Sequence, residues 1–290
     1  MGLSLKYNLL LSKPFKMKKI LVPTDFSDGA FNALLHAIHI AKIFGAELDV
    51  VHAYSIPPTG TAVMVDLTDI LRKNALEELE LLKERTEKLD LAAGLSINYD
   101  AEHGSVIDVV GRAVNERQTE LVVMGTQGAS GITEKWLGTN TAAAARNANV
   151  PLIAIPAESP FKPYDDILFA TDFKVVKDKK AMEFVASFGH AFDARVRFLH
   201  VKRDDEKSES GTEDAFKLQM KSIFGKPEPT FTFTIDSDIE SGIKDAIQKK
   251  PADLLVTVRH SYGFFENLFR SSVSQKIINS ASIPILIIKG

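Results

Sequence analysis

The chain contains no cysteine in 290 residues. That excludes disulfides, thiolate metal sites and cysteine nucleophiles, and it agrees with a reducing, cytoplasmic setting as the expected one. It has little net charge. Thirty-five Lys and Arg stand against 38 Asp and Glu, a formal charge of -3, and no stretch forms a basic patch, so nucleic acid is not an expected partner. No apolar run is long enough to span a bilayer, so no membrane partner is expected either. The apolar stretch Tyr7 to Leu11 is shorter than a signal-peptide core, and no small-residue cleavage site follows it. Residues 1–16 are read as a disordered or loosely packed extension. What remains is an ordinary globular composition, 45% hydrophobic and 25% charged, long enough for two domains.

The informative feature is an internal repeat. Lys19-Ile20-Leu21-Val22-Pro23-Thr24-Asp25-Phe26 parallels Asp166-Ile167-Leu168-Phe169-Ala170-Thr171-Asp172-Phe173. The segment from Phe44 to His52 parallels Phe192 to His200, Thr119 to Met124 parallels Ala252 to Thr257, and Val150 to Ile155 parallels Ile283 to Ile288. Four anchors recur in one order, which makes the chain two copies of one unit.

Each unit alternates strands with helices. In the first, strands are expected near 18–23, 48–54, 95–101, 120–125 and 151–156. Their near-continuous Val, Ile and Leu suit strands covered on both faces. A helix capped by Ser27 or Asp28 should run to Phe44 and stop at Gly45. Further helices are expected over Leu67 to Leu91, from near Ser105, and over Thr139 to Asn147. The second unit repeats this with a shorter second helix after the polar stretch Asp204 to Gly211. Such alternation implies parallel sheets with right-handed crossovers. Units at 17–157 and 164–290 follow, joined by a short linker that holds Pro160 and Pro163.

The chemistry concentrates after the fourth strand. Met124-Gly125-Thr126-Gln127-Gly128 leads to Gly138-Thr139-Asn140, so that two residues separate the first glycines and nine separate Gly128 from Gly138. Gly125 and Gly128 would let backbone N–H groups approach an anion with no Cβ in the way. Gly138 and Thr139 stand where a helix begins, so unpaired N–H groups and a hydroxyl face the same anion. Asp25 ends the first strand. If the first and fourth strands are neighbours, Asp25 and Gly125 flank the crevice where open parallel sheets bind ligands. The carboxylate could accept hydrogen bonds from ribose hydroxyls, or it could cap the helix that follows. An adenine ring could lie near His52 and Ala53.

These motifs resemble the universal stress protein family in its tandem form, over nearly the whole chain after Met17. The glycine spacing, the Pro23-Thr24-Asp25 strand end and the Val150-Pro151 start of the last strand carry the resemblance. It implies two Rossmann-like domains of the adenine nucleotide alpha hydrolase-like type, each with a five-stranded parallel sheet of order 3-2-1-4-5. It implies pairing of the two units through their last strands, and it leaves a homodimer open. It also implies ATP or AMP as ligand, with or without Mg, in a stress or signalling role. Pro23, Thr24, Asp25, Ala53, Met124, Gly125, Thr126, Gln127, Gly128, Gly138, Thr139 and Asn140 are the expected contacts.

In the second unit Gly125 aligns with Val258, Gly128 with Ser261, Gly138 with Ser271 and Thr139 with Ser272. Asp172 is kept and the glycines are not, so nucleotide binding there is expected to be weak or absent. No P-loop lysine, paired magnesium carboxylates or catalytic triad is visible. The function classes left are a nucleotide-binding stress protein, a scaffold with a structural or vestigial nucleotide, and a slow ATP-hydrolysing enzyme. His52 and His200 recur at matching places and are read as strand-end histidines with local hydrogen bonds. His36 and His39, one helical turn apart, are read as packing residues rather than metal ligands.

Overall fold

A computed structural model describes residues 17–55, 64–126, 139–173, 178–202, 210–259 and 283–289. The extension 1–16 lies outside these, as do Gln127, Gly128 and Gly138 and the second-unit positions Ser261, Ser271 and Ser272. The first half runs β1 (Lys19–Thr24), α1 (Asp28–Phe44), β2 (Glu47–Tyr54), α2 (Met64–Glu87), β3 (Ile97–His103), α3 (Val106–Glu116), β4 (Leu121–Gly125), α4 (Thr139–Asn147) and β5 (Leu152–Ile155). The second runs β6 (Asp166–Ala170), α5 (Lys179–Ala191), β7 (Arg195–Lys202), α6 (Ser210–Phe224), β8 (Thr230–Ile235), α7 (Ile239–Lys249), β9 (Leu254–Arg259) and β10 (Ile285–Lys289).

Local chemistry sets the helix ends. Ser27 caps α1 by accepting from Ala30 N, and Gly45 closes it in the left-handed conformation that glycine tolerates, at φ 65°. Ser105 caps α3 by accepting from Asp108 N, and Asp178 caps α5 by accepting from Ala181 N. The long charged segment becomes α2 followed by a short 3₁₀ turn at Asp90–Ala92. Over the described residues its counterpart α6 spans 15 residues against 24.

The strands make one ten-stranded sheet in the order β3-β2-β1-β4-β5-β10-β9-β6-β7-β8. Pairing within each half is parallel; β5 and β10 meet antiparallel, with Ile153 opposite Leu286. Helices cover both faces, which explains why β1, β4 and β5 carry apolar side chains on both sides. One apolar cluster on one face runs from Ile20, Leu34 and Ile38 through Ile153 to Phe169, Phe188 and Phe198, so the two halves share a core.

The repeat extends to a buried ion pair with its signs exchanged. In the first half Lys19 on β1 approaches Asp49 on β2 at 3.5 Å. In the second, Asp166 stands in place of Lys19 and Arg197 in place of Asp49. Arg197 Nε donates to Asp166 Oδ1, and its Nη2 donates to the carbonyls of Lys250 and Pro251 at 3.1 and 3.0 Å. A buried charge is tolerated when a partner of opposite sign is fixed beside it, so both positions must differ together.

The segment between the halves is more than a tether. Asn32 Nδ2 donates to the carbonyls of Pro156, Ala157 and Ser159, the last at 2.8 Å. His36, one turn on, holds Ser159 O at 2.9 Å with Nε2 and meets the Tyr164 hydroxyl at 3.0 Å with Nδ1. His39 stacks on Phe161 with ring centroids 3.7 Å apart. One stripe of α1 therefore binds the connecting strap along its length. Both histidines are packing residues, and burial lowers the His36 pKa to about 4.

Candidate functional site

β1 lies between β2 and β4, so its carboxyl end is flanked by theirs. The chain leaves β1 toward β2 on one side, and β4 enters on the other. The crevice between β1 and β4 is thus a topological switch point, the place where such sheets bind ligands. Thr24, Asp25, His52, Ala53, Gly125 and Thr126 all belong to these three strand ends.

Thr24 is buried. Its Oγ1 accepts from Phe26 N at 3.1 Å, and its carbonyl accepts from His52 Nδ1 at 2.9 Å. The His52 ring stacks on Phe26, centroids 4.4 Å apart. Both histidines so behave as strand-end residues. His52 is turned onto β1, and the matching His200 sits buried with its ring 5.3 Å from Phe173. Phe26 and Phe173 both take a positive φ, 64° and 54°, a strained conformation for a bulky side chain. With His52 folded back, Ala53 takes the opposite face of β2 and packs with the cluster under α3 and α4.

Asp25 is exposed at the strand end. Its Oδ1 accepts from Ser27 N at 3.2 Å and from Ser27 Oγ at 2.5 Å, while Ser27 Oγ accepts from Ala30 N. Ser27 is the cap, and Asp25 orients it. This leaves the carboxylate at the mouth of the crevice rather than committed inside the first turn of α1.

Gly125 has a reason to be glycine that the motif alone does not reveal. A Cβ built there would lie 2.9 Å from the carbonyl oxygen of Gly29 and 3.0 Å from its carbon. The first turn of α1 is pressed against the end of β4, and backbone cannot yield as a flexible side chain can. On the other side, Thr141 Oγ1 donates to Gly125 O at 2.7 Å, and Thr126 N donates to Ile155 O at 2.8 Å. The first bond brings α4, described from Thr139 with Asn140 exposed beside it, to the same strand end, and the second ties that end to β5. Met124 and Thr126 are buried supports, and Pro23 is part of β1 two residues before Asp25. Gln127, Gly128 and Gly138, and the Thr139 side chain, lie outside the described residues.

Gly29 and Thr141 were not legible as site residues. Their weak signals were a glycine inside the first turn of a helix and a threonine two places past the Gly-Thr pair.

The second half departs at the same strand end. The registers make Val258 the counterpart of Gly125, because Leu254 pairs with Ile167 as Leu121 pairs with Ile20. Its helix also starts later. Phe192 matches Phe44, yet α5 has 13 residues and α1 has 17. A side chain at this position leaves no room for a helix to open as close to the strand end as α1 does to Gly125. Among the described residues no group of three or more His, Asp or Glu could hold a metal ion, and no helix is long and apolar enough to cross a membrane.

Comparison with known proteins agrees with this duplicated architecture. A family model described as "Universal stress protein family" matches residues 16–156 and again 163–289. The curated protein "Universal stress protein MJ0531" of Methanocaldococcus jannaschii is 29% identical over 144 residues, covering 48% of this chain and 81% of that protein. "Universal stress protein YxiE" of Bacillus subtilis is 27% identical over 149 residues, covering 47% and 97%. Among solved structures, a universal stress protein from Archaeoglobus fulgidus superposes with a TM-score of 0.68 at 19% identity, over 93% of this chain and 96% of that one. At that identity the likeness is one of fold.

Proposed function

Starting from a chain that belongs to the universal stress protein family, in two tandem copies, we propose that its first half binds ATP or AMP. The ligand would sit at the carboxyl ends of β1, β2 and β4, and occupancy, rather than turnover, would be the output. The observation that carries this reading is the convergence at one strand end. The exposed Asp25 carboxylate, the Gly125 end of β4 and the first described turn of α4 meet at the switch point.

Each part suits one part of an adenosine phosphate. Asp25 can accept from two adjacent ribose hydroxyls. The first N–H groups of α4 have no intrahelical partners and suit phosphate oxygens. The small Ala53 leaves room for a flat base against β2. We extend the phosphate cradle to Gln127, Gly128, Gly138 and Thr139 on their spacing in sequence. The second half, with Val258 for Gly125, would not take a nucleotide in this manner.

Mass spectrometry of small molecules released from heat-denatured protein tests occupancy and identity together. The expected result is an adenosine phosphate, or its uptake on soaking, with a raised melting temperature. At a ligand concentration of 100 Kd the stabilisation is about 2.7 kcal/mol. Gly128→Val and Gly138→Val should abolish the shift. A wild-type protein that releases no nucleotide on denaturation and whose melting temperature neither ATP nor AMP moves sinks the proposal. A nucleotide that co-purifies and never exchanges would make it a structural component instead.

A further inference from the structure

The ten-stranded sheet ends in two edges, β3 and β8, and the chain treats them differently. The β3 edge is charged. Asp100 and Glu102 lie on it, with Arg117 donating to Asp100 at 2.7 Å and Arg112 to Glu102 at 3.0 Å. Charge of this kind blunts an edge against further pairing. β8 is Thr-Phe-Thr-Phe-Thr-Ile, six residues with no charge. Phe233 is 64% exposed and Ile235 is 62% exposed, while Phe231, on the same face, packs against Phe198 and Phe173. Lys202 Nζ lies over the Phe233 ring at 5.1 Å, yet an uncharged edge that exposes one phenylalanine and one isoleucine is what soluble proteins avoid unless something pairs with it.

We infer that β8 pairs with β8 of a second copy of this chain, antiparallel about a two-fold axis, joining two sheets into one. Three observations choose this occupant. The first is hydrogen-bond direction. Asp236 N donates inward to Lys202 O. By strand alternation Thr232 and Thr234 also direct their backbone groups inward, so Phe231, Phe233 and Ile235 present theirs outward. The second is self-complementarity. Pairing Phe233 with its own copy sets Phe231 opposite Ile235 and uses all three outward residues. It also places Thr232 opposite Thr234 on the other face. Aromatic and aliphatic side chains then meet on one face and threonines on the other, which are favourable cross-strand pairs. The third is charge. Lys221 and Lys226 precede the strand with one acid, Glu228, which Lys221 already approaches at 3.1 Å. Asp236 and Asp238 follow it. In this register Glu228 falls opposite Asp238 and Thr230 opposite Asp236, so Lys226 is the one cation that the antiparallel two-fold carries toward the acidic flank of the other copy. Pro227 and Pro229 end the pairing on one side. The surface is independent of the nucleotide site and lies at the far edge of the other half.

The test is the solution mass of the full chain across a concentration series, by light scattering or sedimentation. The expected mass is twice 31.9 kDa, falling to the single-chain value in Phe233→Lys and Ile235→Lys. Both side chains are exposed, so these variants should still fold with the wild-type circular dichroism spectrum and should melt as the wild type does when diluted to single chains. Leu81→Lys, at an exposed apolar residue on α2, should leave the dimer intact. Because the chain lacks cysteine, Phe233→Cys adds a lone thiol, and a short bis-maleimide should link two copies through it but not through Leu218→Cys on α6. A wild-type protein that is monomeric throughout overturns the inference. So does a dimer that survives Phe233→Lys, or one that Leu81→Lys breaks.

Discussion

Gly125 illustrates how one residue can serve a motif for a reason the motif does not display. Its spacing from Gly128 reads as a phosphate loop, yet the nearest obstacle to a side chain is the Gly29 carbonyl of α1. Gly125→Ala should therefore destabilise the protein without any ligand present. Forcing one carbon into a packed backbone contact costs about 1–3 kcal/mol. Urea unfolding in nucleotide-free buffer checks this through a lower midpoint at unchanged slope. A variant with wild-type stability that has lost only nucleotide affinity would return Gly125 to the purely ligand-facing role. Contacts of this kind are hidden in a sequence. Residues 29 and 125 meet only after three crossovers have been laid on the sheet, and neither residue type signals the other.

The element that ties most of the molecule together is α1. Its amino-terminal turn abuts β4, and its Asn32, His36 and His39 hold the strap that leads to β6. The strand and helix alternation, the caps at Ser27 and Ser105 and the stop at Gly45 were readable because each rests on local chemistry. The strap was read from its two prolines as a short linker. Its packing, with Ser159 and Tyr164 buried, depends on partners more than 100 residues away. His36 makes this contact measurable. Desolvation is the largest cause of its lowered pKa, opposed by the bond to Ser159, with His39 lowering it further. A folded value of about 4 against 6.5 unfolded means that the unfolded chain takes up the proton first. The contribution of His36 is complete above pH 6.5 and is lost as pH falls from 6.5 toward 4. At about 1.36 kcal/mol per unit this amounts to roughly 3 kcal/mol. Between pH 6.5 and 5, before most carboxylates titrate, unfolding free energy should fall more steeply in the wild type than in His36→Gln. Equal slopes would show that the imidazole is accessible to protons in the folded state.

At the scale of the whole molecule the question is whether duplication produced two units or one. The family match falls on two segments, and the sequence repeat marks two copies. Yet β5 and β10 pair edge to edge, and one apolar cluster crosses the junction. Cores joined in this way should unfold together, so a ligand held by the first half should protect the second. Hydrogen exchange read by mass spectrometry can separate the cases, because amides of β6 and β7 report the second half and those of β1 and β4 the first. At saturating ATP or AMP, near 100 Kd, amides that exchange by global unfolding should slow by about 100-fold in both sets. Protection confined to β1 and β4 would mean that the halves open separately despite their shared sheet. No protection in either set would remove the ligand itself. The exchanged signs of the Lys19–Asp49 and Asp166–Arg197 pairs show that the copies diverged locally. A strand end that carries Gly125 in one copy and the core residue Val258 in the other can persist on those terms. The altered half retains its strands, its share of the core and its place in the common sheet, and under the proposed function thermodynamic linkage would let it respond to a nucleotide bound by the other half.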